Sequence, residues 1–215
     1  FAHEMRNFVS IAMLSFEMLR SGKVPTNGSS ALVHSRALRS IQVLIDRTLS
    51  EVRVGASLVR PERIRLAELI EDIEITAVID AGNRGLELTV APVAWDLLVD
   101  ADSHLLASAI GNLLHNAFKF TAAMGHVFLR VSLAPERPDL VRIEVEDQCG
   151  GLPDGKVGEL FRPYERGSHD TSGIGMGLSI SRKSVEACGG TLSARGLPGR
   201  GCIFTVELPV ASDGA

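Results

Sequence analysis

The sequence predicts an α+β protein in which an N-terminal antiparallel helical hairpin precedes a two-layer α/β sandwich. Residues 1–60 have helical periodicity, whereas residues 61–215 alternate short β-type runs with apolar helical stretches. Pro61 marks the boundary between the two segments. With 45% hydrophobic residues, the chain of 215 residues can bury an ordinary core.

The first segment has the features of two helices joined by a turn. Residues 1–22 lack proline and end at Gly22, and residues 23–30 are rich in turn-forming types. A second helix, from Ser30 to about Ala56, spaces its apolar residues by three and four positions. Such a hairpin has too much apolar surface to stand alone in water. A dimeric four-helix bundle would bury that surface, and packing on the downstream domain is the alternative. We expect the homodimer.

The second segment predicts strands flanked by helices on one side, and hence two layers. The β-type runs at 126–133 and 140–146 alternate apolar and polar residues, as the strands of a hairpin do. The long polar segment 154–172 is typical of a lid. Predicted strands cover 63–66, 86–91, 95–100, 126–133, 140–146, 191–195 and 202–209, and predicted helices cover 67–82, a long stretch from 102 through 116, and 175–187.

Composition excludes several classes of protein. A formal net charge of −4 argues against a general nucleic-acid surface, which would be basic. Three cysteines without CxxC spacing suit a reducing cytoplasm, and Cys188 and Cys202 are expected to pack as small hydrophobic residues. No apolar run approaches the ~18 residues of a membrane span. We therefore expect a cytoplasmic location and no membrane contact, and we read the chain, which starts at Phe1, as a fragment of a longer protein.

Three polar residues of the long helix have the spacing of one helix face. Asn112, Asn116 and Lys119 stand at i, i+4 and i+7. The amide oxygen of Asn116 can ligate Mg²⁺, a hard cation that binds phosphates alongside few protein groups, and Lys119 can act as a point charge on those phosphates. The alternative is a polar stripe that is hydrogen-bonded to a neighbouring strand.

Two glycine-rich stretches follow. In the first, Asp147 could accept a hydrogen bond from an adenine amino group while Gly151 lets the backbone approach the base, or Asp147 could be an Asx-type turn residue. In the second, Gly173, Gly175 and Gly177 precede an apolar helical run, so backbone N–H groups could hold phosphates. A flexible loop is the alternative for the second stretch.

His3 is the candidate nucleophile. A neutral imidazole on an exposed helix position is a competent nucleophile, and the adjacent Glu4 can take or orient the ring proton. The alternative is an ordinary surface histidine.

At these residues the chain resembles the bacterial two-component sensor histidine kinases. Their dimerisation and phosphoacceptor hairpin is followed by a catalytic ATP-binding domain of the Bergerat type, and the resemblance covers essentially all 215 residues. Any one motif is weakly specific, but the ordered set is very specific. The motifs are AHEMRN (2–7, phosphoacceptor box), NLLHNAFKFT (112–121, N box), DQCGGLP (147–153, first glycine box), LFRPYERG (160–167, phenylalanine box), GIGMGLSI (173–180, second glycine box) and GRGCIFTVELP (199–209, closing strand).

The resemblance implies an ATP-dependent protein-histidine kinase with residues 1–60 as the hairpin and 61–215 as the catalytic domain. His3 would be phosphorylated and would pass the phosphoryl group to an Asp of a response-regulator receiver domain. Glu4 would assist as a base or orienter, and Asn7 would position a water for dephosphorylating the regulator. The alternative is a histidine phosphotransfer or scaffold protein with a decayed ATP site.

The resemblance also implies a nucleotide site for ATP and Mg²⁺. Asp147 would read adenine, and Thr205 would support that contact through water. Arg166 would reach the γ-phosphate from the lid. Among the N-box residues, Asn116 would ligate Mg²⁺, and Asn112 and Lys119 would lie near the phosphates. Phe120 would line the wall of the nucleotide site.

Cys149 departs from the family pattern, because it replaces the first glycine of the first glycine box. If that position needs a positive φ, the cysteine costs about 1–3 kcal/mol. If the turn has shifted by one residue, Gly150 substitutes and nothing is lost. We favour the shifted turn because every other nucleotide contact is present.

Overall fold

A computed structural model describes residues 9, 10, 13, 16, 59–151, 160, 161 and 177–211. The chain divides into two units, Phe1–Glu51 and Val52–Ala215, and the fold below is that of the second unit. Of the predicted hairpin, residues 9, 10, 13 and 16 are helical. His3, Glu4 and Asn7 lie outside the described residues. The hairpin, its dimer and the domain boundary at residue 60 therefore stay predictions.

Each predicted strand and helix of the second segment has a counterpart in the structure. The largest differences are at strand starts: the expected strand 95–100 begins at Leu98, because Trp95 and Asp96 form a turn, and the expected strand 140–146 begins at Arg137. The elements are β1 Glu62–Arg65, α1 Leu66–Asn83, β2 Glu87–Val90, β3 Leu98–Ala101, α2 Ser103–Phe120, β4 His126–Ala134, β5 Arg137–Asp147, α3 Gly177–Ala187, β6 Thr191–Leu197 and β7 Gly201–Pro209.

Five of the strands form one mixed sheet in the order β2-β4-β5-β7-β6, and β1 and β3 pair separately. Strands β4 and β5 are antiparallel, with Val131 opposite Ile143, which confirms the predicted hairpin. Only β2 and β4 are parallel among the pairs of this sheet that the structure describes. Parallel neighbours need a crossover connection, and α2 lies in the chain between them.

One face of the sheet is buried and the other carries charged pairs. The buried face includes Val127, Leu129 and Val145, each with no exposed area. The open face holds the ion pairs Arg130–Glu146 and Arg142–Glu207, each at 2.8 Å. This alternation confirms the two-layer prediction. Helix α2 faces the core with residues Leu105, Leu106, Ala109, Ile110, Leu113, Leu114, Ala117 and Phe118.

None of the helices that the structure describes is long and apolar enough to cross a membrane.

Helices α2 and α3 pack against each other. Asp102 caps α2, because its Oδ1 accepts a hydrogen bond from Leu105 N at 3.1 Å. Cys188, just beyond the last turn of α3, has its Sγ 4.0 Å from the Asp102 carbonyl oxygen. Since the start of α2 meets the end of α3, the start of α3 lies towards the end of α2.

The end of α2 leads to the end of the sheet where β4 starts, β5 finishes and β7 starts, which we call the Asp147 end. After α2, the chain turns and enters β4, and His126 N donates to the Gln148 Oε1 beyond β5 at 2.9 Å. Across the sheet, Asp147 is the register partner of Cys202 near the start of β7. The C-terminal half of α2, the N-terminus of α3 and the last residue of β5 therefore share one end of the second unit.

The turn after β5 places its left-handed residues at glycines. Gly150 has φ 87° and Gly151 has φ 110°, and Met124 is the one non-glycine residue with a positive φ among the described residues. Cys149 therefore has no left-handed strain. The alternative of a strained cysteine is wrong, and the shifted turn is confirmed.

Gly201 is fixed by close approach rather than by φ. A Cβ atom at Gly201 would lie 1.7 Å from the Asp147 carbonyl oxygen, far inside van der Waals contact. Only glycine lets the start of β7 lie so close to the end of β5.

Gly201→Ala should lower the free energy of unfolding by about 3 kcal/mol, because the added methyl must push one strand away from the other. Gly82→Ala is the matched control, since a Cβ there meets nothing within 4 Å. In α1 the control should be neutral or stabilising by up to about 1 kcal/mol. Urea denaturation gives both values, and equal midpoints for the two variants would contradict the close contact.

Cys149→Gly should be less stable than Cys149→Ala by about 0.5–1 kcal/mol, because glycine gains chain entropy when unfolded and relieves no strain here. The alanine variant removes the thiol in the same way, so the difference isolates the backbone. Urea denaturation under reducing conditions measures it. A glycine variant more stable than the alanine variant would show that the turn is strained.

Candidate functional site

The Asp147 carboxylate is buried, and its two oxygens accept hydrogen bonds from different groups. The residue is 3% exposed. Oδ1 accepts hydrogen bonds from Cys149 N at 2.9 Å and Cys202 N at 3.3 Å, and Oδ2 accepts the Cys202 thiol at 2.9 Å. The contact with Cys149 N is an Asx-type turn, so that alternative is correct for Oδ1. A thiol is a weak donor, which leaves Oδ2 with capacity for a stronger one, such as an amino group.

Two cysteines surround this carboxylate. Cys149 Sγ lies 3.4 Å from Cys202 Sγ, and both are free thiols. Cys149 is half-buried, and Cys202 is 2% exposed. The hydrogen bond with Cys202 holds the pKa of the Cys149 thiol below its usual value. The same hydrogen bond, followed by burial, raises the pKa of Cys202. Cys202 and Cys188 both pack in the hydrophobic core, as predicted, and the Cys202 thiol also contacts the Cys149 sulfur and the Asp147 carboxylate.

The strand register does not bring Thr205 to Asp147. Thr205 is the register partner of Glu144, three residues before Asp147. Since side chains alternate between faces, an odd separation puts Thr205 on the open face while Asp147 points to the covered one. The expected support of Asp147 by Thr205 is therefore corrected, and Cys202 stands in that place. The sequence could have indicated this partner, because Cys202 directly follows Gly201 at the start of β7.

Helix α2 presents its predicted polar face. Asn112, Asn116 and Lys119 are all half-buried and border the buried stripe of the helix. Neither Asn112 nor Asn116 makes a side-chain hydrogen bond to a strand within the described ranges. Lys119 Nζ lies 5.2 Å from the centroid of the Phe120 ring, and Phe120 is 54% exposed. The face therefore offers amide oxygens, an ammonium group and an exposed ring near the Asp147 end.

Helix α3 begins at Gly177, the last glycine of the second glycine box, and starts at the same end of the molecule. The first N–H groups of a helix have no partner within it and can bind anions. Gly173, Gly175 and Arg166 lie outside the described residues, so their roles stay predictions.

Phe161 is a residue of the phenylalanine box whose place the sequence did not specify. Its side chain belongs to the core and is 9% exposed. The Arg182 guanidinium of α3 lies 5.4 Å from the centroid of its ring. Phe161 thus fixes one point of the connection between β5 and α3 against the helix that follows.

A cleft of about 630 Å³ lies elsewhere in the unit. It is near the start of β5, because its lining residue Val210 donates to the Asp139 carbonyl oxygen at 2.9 Å. None of the predicted site residues contributes to it. We assign the site to the Asp147 end on its chemistry rather than on cleft size. The cleft is lined by Arg65, Trp95, Asp96, Leu98, Val210 and Ala211.

The Asp147 end has the donors and acceptors that a purine nucleotide with a divalent cation needs. Oδ2 of Asp147 can accept from an exocyclic amine, and glycines at 150 and 151 keep the adjacent backbone free of side chains. Asn116 supplies a neutral hard oxygen of the kind that Mg²⁺ accepts beside phosphates. Lys119 and the start of α3 supply positive charge.

Comparison with known proteins agrees with this chemistry. The family model described as histidine kinase-, DNA gyrase B- and HSP90-like ATPase matches residues 101–212. The sensor protein KdpD of Mycobacterium tuberculosis (strain CDC 1551 / Oshkosh) is 30% identical over 225 residues, covering 99% of this chain and 25% of KdpD. The chain thus spans about a quarter of the length of that relative.

Solved structures share the fold. Full-length ShkA in complex with AMPPNP matches with a TM-score of 0.67 and 23% identity, over 96% of this chain and 46% of ShkA. Histidine kinase ThkA in complex with the response regulator protein TrrA matches with a TM-score of 0.65 and 20% identity, over 98% of this chain and 60% of ThkA. These likenesses support the Bergerat-type fold.

The expected resemblance is therefore confirmed. The family match covers more than half of the chain, and the relative named above is a sensor protein. The chain belongs to the histidine kinase-, DNA gyrase B- and HSP90-like ATPase family, and within that family it resembles the sensor histidine kinases.

Proposed function

We propose that this chain is the kinase part of a two-component sensor, which uses Mg²⁺ and ATP to phosphorylate His3. The phosphoryl group then passes to an Asp of a response-regulator receiver domain. The observation that carries the proposal is the Asp147 carboxylate, which is buried at the end of β5. Its Oδ1 accepts hydrogen bonds from two backbone N–H groups, and its Oδ2 accepts the weakly donating Cys202 thiol and keeps capacity for a ligand amine. The family match and the sensor-protein relative support it.

Adenine recognition rests on Asp147. The exocyclic amine of adenine donates to Oδ2, and the hydrogen bonds from Cys149 N and Cys202 N keep the carboxylate from rotating. Gly151 has no side chain to block the base, and Phe120 provides an exposed apolar wall. A charged acceptor in a buried position strengthens the hydrogen bond relative to one in water.

Phosphate binding rests on the polar face of α2 and the start of α3. Asn112 and Lys119 contact the phosphates, and the N–H groups that follow Gly177 bind phosphate oxygens. Asn116 would hold Mg²⁺, whose chemistry is to neutralise charge on the β- and γ-phosphates. Gly173 and Gly175 extend the anion site, and Arg166 reaches the γ-phosphate, by resemblance to the family.

The transfer step uses the N-terminal hairpin. A ring nitrogen of His3 attacks the γ-phosphorus, the bond from phosphorus to the leaving oxygen of ADP breaks, and Glu4 takes or orients the ring proton. Asn7 positions a water that dephosphorylates the response regulator. The hairpin forms the homodimer. The solved complex of ThkA with TrrA supports a receiver domain as the partner.

The rival proposal, a phosphotransfer protein with a decayed ATP site, loses its sequence support. That support was Cys149 alone, and the positive φ angles fall at Gly150 and Gly151 instead. Cys149 is therefore compatible with the proposed nucleotide site.

Incubation with labelled ATP and Mg²⁺ should leave an acid-labile label on the chain. Asn116→Ala should lower this labelling at least 100-fold, because the cation loses its protein ligand, while the variant remains folded. Asn83→Ala, the same change at the exposed end of α1, is the matched control and should label normally. His3→Gln should abolish labelling. Label that survives His3→Gln, or no label on the unmodified chain, would overturn the proposed kinase activity.

Asp147→Asn should weaken ADP binding about 10–100-fold, because this is the change in Kd expected when one hydrogen bond to a charged group is lost. The variant keeps an amide oxygen for the two backbone donors but places an NH₂ group where Oδ2 stood. Calorimetry with ADP and with the diphosphate of purine riboside, which lacks the exocyclic amine, separates the causes. The unmodified chain should prefer ADP, and Asp147→Asn should not.

Asp139→Asn, near the other end of β5, is the matched control for this measurement and should bind ADP as the unmodified chain does. If Asp147→Asn kept the preference for ADP over the riboside, the adenine contact would lie elsewhere.

A further inference from the structure

The Asp147 site contains two thiols that the proposed chemistry does not use. Their sulfur atoms are 3.4 Å apart, although the residues are 53 positions apart in sequence. The remaining cysteine, Cys188, lies by Asp102 at the start of α2, away from the Asp147 end. The contact follows from the fold, because Cys202 pairs with Asp147 across the strands and Cys149 follows Asp147 by two residues.

We propose that Cys149 and Cys202 form a reversible thiol–disulfide pair that a peroxide oxidises, and that the disulfide weakens adenine-nucleotide binding at Asp147. This regulation rests on the function proposed above. It assigns the pair as a modification site inside the nucleotide pocket.

The two thiols have different surroundings, which assigns their roles. Cys149 is half-buried, whereas Cys202 is 2% exposed, so Cys149 is the more accessible thiol to a small oxidant. The thiolate of Cys149 is the form that reacts with an oxidant. A reactive, accessible cysteine beside a buried second one is the arrangement expected of a redox-sensing pair.

The oxidation balances in two steps. The Cys149 thiolate attacks one oxygen of the peroxide, the O–O bond breaks, and the leaving oxygen takes a proton, which gives Cys149 sulfenic acid. Cys202 then attacks that sulfur: the S–S bond forms, the S–O bond breaks, and water leaves. Asp147 Oδ2, 2.9 Å from Cys202 Sγ, receives the thiol proton and passes it to the departing hydroxide. The two thiols are oxidised to one disulfide, and one hydrogen peroxide is reduced to two waters.

The disulfide acts on the adenine contact through the position of Asp147. A disulfide has sulfur atoms about 2.05 Å apart, so the two sulfur atoms, now 3.4 Å apart, must approach by over an ångström. That movement strains the Cys149 N to Oδ1 hydrogen bond, and it removes the S–H group that donates to Oδ2. A binding group must be held within about 0.5 Å of its productive position. The reduced pair therefore holds the carboxylate ready for adenine, and the oxidised pair displaces it.

The test compares reduced and peroxide-treated protein, with a chelator present throughout. Peptide mass mapping should show a Cys149–Cys202 cross-link with the loss of two hydrogens. Calorimetry should show the ADP Kd rise at least 10-fold, and a dithiol reductant should restore it. Cys188→Ala, the control at the third cysteine, should respond as the unmodified chain does. Cys149→Ser should form no cross-link, and its own ADP Kd should not change on treatment.

The outcomes separate the two proposals. A reduced chain that fails to bind ADP overturns the proposed function. The cross-link is then still tested by its mass and by a rise in Tm that a reductant reverses, because a disulfide constrains the unfolded chain. Treated protein without the cross-link overturns the redox pair. A cross-link that leaves the ADP Kd unchanged, or an equal loss of binding in treated Cys149→Ser, overturns the regulation.

Discussion

The close approach of β7 to β5 is the constraint on which the candidate site depends. Gly201 lies against the Asp147 carbonyl oxygen in a space that no side chain could share. Because the strands are so close, Cys202 N reaches Oδ1 of Asp147 from the neighbouring strand while Cys149 N reaches it from the turn. A buried carboxylate is costly unless its hydrogen bonds are satisfied. Here backbone groups satisfy Oδ1, and Oδ2 accepts the Cys202 thiol, a weak donor that leaves capacity for a ligand.

The helical layer brings the remaining groups to the same place. Asp102 caps the start of α2, and Cys188, just after the end of α3, contacts it, so the two helices run in opposite directions. The polar residues late in α2 and the start of α3 therefore both lie towards the Asp147 end. The proposed adenine acceptor, cation ligand and anion-binding N–H groups thus lie towards one end of the unit although their three segments are far apart in sequence. Such convergence follows from the packing of apolar faces.

Local patterns predicted the elements well, because periodicity, the Asp102 cap and turn residues act over a few positions. They did not predict which strands pair in parallel, since β2 and β4 meet only after the chain has passed through α2. The error at Thr205 has the same origin: register is set by long-range pairing, and an odd offset moves a side chain to the other face. The partner of Asp147 is therefore Cys202, and the contact between Cys202 and Cys149 was not indicated by the sequence.

Amide chemical shifts during an ADP titration would locate the nucleotide on the protein without altering it. We predict the largest shifts at Gly151, Cys202 and Asn116, with saturation at a common Kd and little change on the exposed side of α1. Shifts centred instead on the cleft around Trp95 and Val210 would contradict the account, since the nucleotide would then bind near the opposite end of β5.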